Sequence, residues 1–385
     1  MAPPNKTVKS IMILGAGEAQ VPLIQKSIEL NLYTIVVDYD KNAPGFEFAN
    51  KIILISTLDK KNILKAAIKY KIDGIITISD LPVRSVAYIC EKLGLNGLSV
   101  NAAQICTNKY LLRVCMQKNS ILTPTFLKIT GDNEIKDIKI NYPAVIKPVD
   151  SSASRGVKKI HSVDELKTAY FEAFKYSKCG DVIIEEFIEG PEYSIEALCY
   201  DDEIYIIAIT EKITLGCNNV YFVEDRHVVP ASISSEKEKK IRITVINAIK
   251  KIGLHSCAVH AEVKYSINGP VIIEIGARLG GDYITSDLVP LSTGVNIHEH
   301  AINICLNRKI NITPSLSGFA GVQFINSNKY NAFKKHIEII KCNKDYVRSE
   351  IKSYKRVSLK NSNNRLGFFI CKTNKRKTLI DLLDC

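Results

Sequence analysis

The stretch Ala258-Val-His-Ala-Glu-Val-Lys-Tyr-Ser-Ile-Asn-Gly-Pro-Val-Ile-Ile-Glu-Ile-Gly-Ala-Arg278 decides how this chain is read. Two runs rich in Val and Ile flank Asn268-Gly269, the composition of two strands around a tight turn. A hairpin centred near Asn268 sets Glu262 directly opposite Glu274, with Cβ atoms roughly 5 Å apart, and like charges so placed are destabilising. Alternation puts His260, Glu262 and Lys264 on one face, and Glu274, Gly276 and Arg278 on one face. A divalent cation between the carboxylates resolves the conflict, since Mg²⁺ takes a few carboxylates together with substrate phosphates. Ordinary surface charges on a solvated hairpin would read the same way, so the rest of the chain must arbitrate.

A chain of 385 residues can divide into two to four domains around a large core. A mean hydropathy of +0.02 and an apolar fraction of 46% fit a globular protein. No apolar run reaches the roughly 20 residues needed to span a bilayer. Met1-Ala-Pro-Pro-Asn-Lys runs within a few residues into a strand and a Gly-rich turn, unlike a secretory leader. Eleven cysteines occur without any Cys-x-x-Cys spacing. Such a count implies reduced thiols and a cytoplasmic location. The net charge of +12 is lopsided: residues 329–385 hold fifteen Lys and Arg against five Asp and Glu, which leaves +2 for the first 328. A basic tail can attract a polyanion. This one lacks aromatic interleaving and any nucleic-acid module, so the expectation is a solvated surface with neither a nucleic-acid nor a membrane partner.

The first hundred residues alternate strands and helices. Strands are expected at Ser10–Leu14, Thr34–Asp38, Ile52–Ile55 and Gly74–Ile78, with helices at Val21–Leu30, Lys60–Tyr70 and Pro82–Lys92. That alternation implies right-handed crossovers and a parallel sheet. Gly15-x-Gly17 followed by Asp38 partly matches a dinucleotide fingerprint, but Gln20 stands at the third glycine, so a tight turn is expected and nicotinamide is not.

The chemistry changes after about residue 105. Thr107-Asn-Lys109 opens a helix, and Tyr142-Pro-Ala-Val-Ile-Lys147-Pro148 is a short strand with a lysine at its end. Asp150-Ser-Ser-Ala-Ser-Arg-Gly-Val157 follows, small and rich in hydroxyls. Its N–H groups with Ser151, Ser152 and Ser154 can wrap a phosphate, while Lys147 and Arg155 supply charge. A strand, not a helix, comes next, so this is no Walker-type loop. Val182-Ile-Ile-Glu-Glu-Phe-Ile-Glu-Gly-Pro-Glu192 breaks at Gly190-Pro191, where exposed acceptors can read an adenine and a ribose.

In order and spacing, residues 8–320 resemble the ATP-grasp superfamily, in the carboxylate–amine ligase branch that includes the L-amino acid (dipeptide) ligases and carbamoyl-phosphate synthetase large-subunit-like proteins. The resemblance implies an α/β chain, α+β in its central part. Its expected divisions are a Rossmann-like domain at 1–105, a two-part nucleotide-binding core at 106–188 and 189–316, and a small basic domain at 317–385. It implies ATP with Mg²⁺, or alternatively Mn²⁺. Nucleotide contacts fall on Lys109, Lys147, the 151–156 loop including Gly156, Glu185 near the adenine amino group, the Glu186 and Ile188 backbones, and Glu192 at the ribose. The metal carboxylates fall on Glu262 and Glu274, and Gly276 replaces a usual third ligand, Asn. Ala153 stands where a glycine is usual. The catalytic arginine falls on Arg278, with Lys147 and Asp282 beside it in catalysis. His227, Gly280, Gly281 and Asp282 join Arg278 on the substrate side.

The implied reaction activates a carboxylate as an acyl phosphate and couples it to an amine, with an amino acid expected. The alternatives are a carboxylase or glycinamide-ribonucleotide-type synthetase, and a silent nucleotide-binding protein. Small-molecule partners and a homodimer complete the expectations.

Overall fold

The structure, a computed structural model, describes residues 8–215 and 220–384. The Met1–Lys6 start read above lies outside the described residues. Among them, no helix is long and apolar enough to cross a membrane.

The amino-terminal strands are β1 (Ser10–Leu14), β2 (Tyr33–Asp38), β3 (Lys51–Leu54) and β4 (Gly74–Ile76). They form a four-stranded parallel sheet in the order β3-β2-β1-β4, as the alternation with helices requires. The Gly15–Gly17 turn is present, with Gly15 at φ +104°. Gln20 folds back over it, its side chain 3.0 Å from where a Gly15 Cβ would stand, and donates to Ser79 Oγ at 2.6 Å. The glutamine that breaks the fingerprint thus fills the hollow of the turn.

The second sheet holds β5 (Phe126–Ile129), β6 (Ala144–Pro148), β7 (Lys158–Ile160) and β8 (Val182–Glu186), antiparallel in the order β5-β8-β6-β7. Its inner face packs on helix Val163–Phe174 through Ile146, Ile184, Leu166 and Ala169. The chain then crosses Gly190-Pro191 into the largest sheet. Its members are β9 (Glu192–Tyr200), β10 (Glu203–Thr214), β11 (Glu224–Val229), β12 (Cys257–Ser266), β13 (Gly269–Gly276), β14 (Phe319–Ile325), β15 (Tyr346–Ile351) and β16 (Gly367–Thr373). The eight strands run in the order β13-β12-β9-β10-β11-β14-β16-β15.

The expected parallel sheet, mixed central part and hairpin are all observed, so the chain is α/β, with two antiparallel sheets after the parallel one. Two expected boundaries differ. Position 105/106 falls inside the helix Val100–Cys106, which is packed into one continuous core with β1 and β12. Residues 317–385 extend the large sheet instead of forming a separate unit: β14 pairs with β11, setting Val228 against Gly321. Burial explains this, because Val228, Ile325, Phe333 and Phe369 share one apolar cluster across that junction. The basic tail is docked by charge as well. Arg348, Arg365 and Arg376 reach back to Asp287, Asp282 and Glu211.

Candidate active site

The hairpin register sets Glu262 opposite Glu274, with a bulge just after Glu262. Their repulsion is answered by lysines from other elements. Lys212 Nζ on β10 lies 2.6 Å from Glu262 Oε1, 2.8 Å from Glu192 Oε1 and 3.6 Å from Glu224 Oε1. Lys109 Nζ lies 3.3 Å from Glu274 Oε1 and donates to the Ser151 carbonyl at 2.6 Å. Burial disfavours charge on Glu262, yet Lys212 and His260 hold its carboxyl well below the usual range. The same three carboxylates outweigh burial and raise the Lys212 ammonium well above its ordinary value.

Two opposed carboxylates with lysines at their oxygens are a hard-donor set that suits Mg²⁺ or Mn²⁺. Among the described residues no group of three or more His, Cys, Asp or Glu is assembled for a metal. The pair therefore fits an ion whose remaining ligands are water or phosphate. Gly276 is explained by a neighbour: a Cβ there would stand 3.3 Å from Asp80 Oδ1 and 3.4 Å from Arg278 Nε. The space of the usual third ligand is taken by an ion pair.

Behind the Glu262–Glu274 pair lies a second, fully buried charge network. Arg113, in helix Lys109–Lys118, donates to Glu185 Oε1 at 2.8 Å and to the Ile272 and Ile273 carbonyls at 3.1 and 2.7 Å. Lys147 Nζ, at the end of β6, lies 2.7 Å from Glu185 Oε2. Burial would raise the Glu185 carboxyl, but Arg113 and Lys147 bring it down to about 2. Burial also lowers the Lys147 ammonium, against the pull of Glu185. Both Glu185 oxygens are thus engaged within the protein, and Glu185 also lines the pocket in which the resemblance puts it near an adenine amino group. Its role in this structure is to pin Lys147 and Arg113.

The loop after β6 lines the same pocket through Ser151, Ser152 and Ser154. Ala153 and Ser154 sit at φ 56° and 54°, a left-handed conformation that costs a non-glycine residue roughly 1–2 kcal/mol. Gly156 shares that conformation and has Tyr176 Cδ2 2.9 Å from any Cβ. Arg155 folds onto its own loop, Nε donating to the Ser152 carbonyl at 3.0 Å, and is not among the residues lining the pocket. Arg155 and Gly156 therefore shape the loop and do not face the pocket.

At the hinge, Glu186 N–H donates to the Thr125 carbonyl at 2.9 Å, and the Ile188 carbonyl accepts from Lys264 at 3.1 Å. Those two backbone groups are occupied within the protein. Phe187 and Phe222 stack on each other with centroids 6.1 Å apart, Lys264 Nζ lies 4.5 Å from the Phe187 centroid, and both rings line the pocket. Glu192 lines this pocket but is held by Lys212.

An adjoining cavity of about 340 Å³ opens past Glu262 and Glu274. Arg278 reaches it with its fork on Asp80, Nε to Oδ1 at 2.6 Å and Nη2 to Oδ2 at 3.2 Å. Burial by itself would lower the Arg278 pKa, but Asp80, Glu274 and Glu196 together raise it. Asp282 accepts from Arg365 at 2.9 and 2.6 Å, and His227 Nε2 is 3.5 Å from it. Burial notwithstanding, Arg365 and His227 hold the Asp282 carboxyl far below the usual range. Gly281 is open on the cavity side, whereas Gly280 is not. A Cβ at Gly280 would meet Glu196 Oε1 at 2.6 Å, so the glycine admits the buried Glu196–His260 pair and not a substrate.

The structure thus gathers Lys109, Lys147, Ser151, Ser152, Ser154, Glu185, Glu186, Ile188, Glu192, Glu262 and Glu274 around one pocket. His227, Arg278, Gly281 and Asp282 surround the next. The sequence reading missed Asp80, Arg113, Glu196 and Lys212 as site residues. Only Glu196 had a local signal, an acid inside an apolar strand.

Residues 140–287 match the ATP-grasp domain family. The chain is 28% identical over 277 residues to alanine–anticapsin ligase of Bacillus subtilis, a match covering 63% of this chain and 58% of that protein. The chain thus spans less than two thirds of that relative's length. The fold is similar to that of the L-amino acid ligase from Bacillus licheniformis, with a TM-score of 0.80 at 21% identity over 97% of this chain and 96% of the other. It is also similar to phosphoribosylglycinamide synthetase from Anaerococcus prevotii, with a TM-score of 0.72 at 23% identity over 98% and 97%.

Proposed function

Because residues 140–287 belong to the ATP-grasp domain family, we propose that this protein is an ATP-dependent carboxylate–amine ligase, forming a C–N bond with release of ADP and phosphate. The observation that carries the reading is the Glu262–Glu274 pair, opposed across a hairpin and flanked by Lys109 and Lys212. That arrangement supports a site where a metal and a polyphosphate meet. Similarity to alanine–anticapsin ligase favours an amino acid as one substrate.

Bound Mg²⁺ or Mn²⁺ on Glu262 and Glu274 would supply charge neutralisation for the phosphates. Lys109 and Lys147 would bind phosphate oxygens from either side of the 150–157 loop, and Phe187 and Phe222 would hold the adenine. A carboxylate oxygen of the acid attacks the γ-phosphorus and ADP leaves. The ammonium gives one proton to solvent, the amine nitrogen then attacks the acyl carbon, and phosphate leaves with the C–O electron pair and takes up the second proton from nitrogen. Arg278, its planar fork locked on Asp80, would present its charge to the acyl phosphate from a fixed position, a hold that a lysine could not make. Asp282, with Arg365 as counter-ion, faces the incoming ammonium. The loop with Ser152 and Ser154 keeps water from the acyl phosphate. Catalysis of this kind is mainly positioning and electrostatics.

Phosphate release measured with amino acids supplied in pairs tests the reading. ADP formation that needs both an acid and an amine, with a product one water lighter than its components, is the expected result. Turnover with bicarbonate alone would replace it with a carboxylase.

A further inference from the structure

We infer that the cavity beside the metal pair is built for small zwitterions with an uncharged polar side chain, such as hydroxyl- or amide-bearing amino acids, and not for a phosphorylated amine. This rests on the ligase reading above. The first argument is charge. With Glu262 and Glu274 assigned to a metal, the acids on the cavity wall are Asp80, Glu224 and Asp282, and the cations are Lys212, Arg278 and Arg365. These are already joined: Arg278 to Asp80, Arg365 to Asp282, and Lys212 to Glu224 at 3.6 Å. The buried His260 is answered in the same way by Glu196 at 2.6 Å. No cation on this wall is in surplus. A phosphomonoester carries nearly two negative charges. To find a partner here it would have to split a buried pair and leave a carboxylate uncompensated. A zwitterion brings ammonium and carboxylate together and leaves the balance unchanged.

The remaining wall is polar. Ser79, Ser194 and Ser362 contribute hydroxyls, and Gln20 and Asn363 contribute amides. Apolar lining is confined to Ala19, Ile78, Ala153 and Ile284. Sites for apolar ligands are lined mainly by hydrophobic and aromatic groups, and this one is not. A third observation is independent of both. Ser194 Oγ and His227 Nδ1 lack a hydrogen-bond partner among the described residues, although Ser194 and His227 are each 1% exposed and both line the cavity. Buried polar groups are normally paired, so these two leave unused hydrogen-bonding capacity in the wall of the cavity.

The test is ADP release by the full chain with Mg-ATP and amino acids supplied in pairs. Glycinamide ribonucleotide and O-phosphoserine serve as the phosphorylated amines. Pairs containing Ser, Thr, Asn or Gln should turn over at least about tenfold faster than the same pairs with Val, Leu or Phe, a difference of about 1.4 kcal/mol in barrier. The phosphorylated amines should give only background. Faster turnover with a phosphorylated or an apolar amine would overturn the inference while leaving the ligase reading intact. Turnover with bicarbonate alone would remove both. A second measurement isolates the charge argument. Glu224→Gln takes one acid from the wall, so the kcat/KM ratio for glutamate over glutamine should rise about tenfold. An unchanged ratio would refute the charge balance.

Discussion

The two chambers on either side of the Glu262–Glu274 pair are built differently. The nucleotide-side pocket draws its wall from short runs around 145–157, 185–192 and 262–274, joined by Lys109 and Lys212. Behind it the Arg113–Glu185–Lys147 network is almost wholly removed from solvent. The adjoining cavity combines three remote parts of the chain, residues 78–80, 278–284 and 362–365, with residues from several other elements, among them Gln20, Ser194 and His227. Its ion pairs, Arg278–Asp80 and Arg365–Asp282, each join segments that the sequence keeps far apart. Breaking a buried pair leaves an uncompensated charge, so the first chamber is rigid in composition.

The comparison predicts where damage should be greatest. Glu274→Gln should lower ADP formation below about a thousandth of wild type, about 4 kcal/mol in barrier, with the fold intact because a like-charge pair is relieved. Retention of more than about a tenth of turnover would remove Glu274 from the metal site. Glu185→Gln strands Arg113 and should cost about 3 kcal/mol of unfolding free energy at neutral pH. Its pH profile sharpens the point. The Glu185 carboxyl is depressed to about 2 from 4.5, so its contribution is complete above about pH 4.5 and fades as pH falls towards 2. Urea unfolding across that window should fall less steeply for the variant than for wild type, and parallel curves would contradict the assignment.

On the substrate side, Arg278→Lys keeps the charge but loses the fork. Amide formation should drop about 100-fold, about 2.7 kcal/mol, while calorimetric ATP affinity changes little. Equal losses in both would place Arg278 in the nucleotide pocket. The smallest effect is expected for Lys147→Ala, with nucleotide affinity about tenfold weaker. Unchanged affinity in both Lys147→Ala and Lys109→Ala would sink the phosphate-contact assignment.

How much was legible in the sequence follows the same division. The hairpin at 257–276 and the register that opposes the two glutamates were readable, because a turn signal between β-branched runs fixes register locally. The strands and helices of the first hundred residues were readable for a similar reason: their apolar periodicity is local. The partners of the site acids were not. Nothing near Glu185 in the chain announces Arg113, which is 72 residues away, and nothing near Arg278 announces Asp80, 198 residues away. Asp282 looked available for an ammonium and proved to carry Arg365. Gly280 looked like an opening for substrate and proved to admit Glu196. The basic tail looked like a separate solvated unit, yet three of its arginines are counter-ions to Asp287, Asp282 and Glu211 in the preceding part of the chain.

The sequence alone determined the kinds of groups present and their local geometry: an opposed carboxylate pair, a lysine at a strand end, and a small hydroxyl-rich loop beside it. Side-chain alternation and turn chemistry act over a few residues and can be read directly. Only the tertiary structure decided which charge answers which. Buried charges must be compensated, and the compensating group comes from whichever element packs against them, at any distance along the chain.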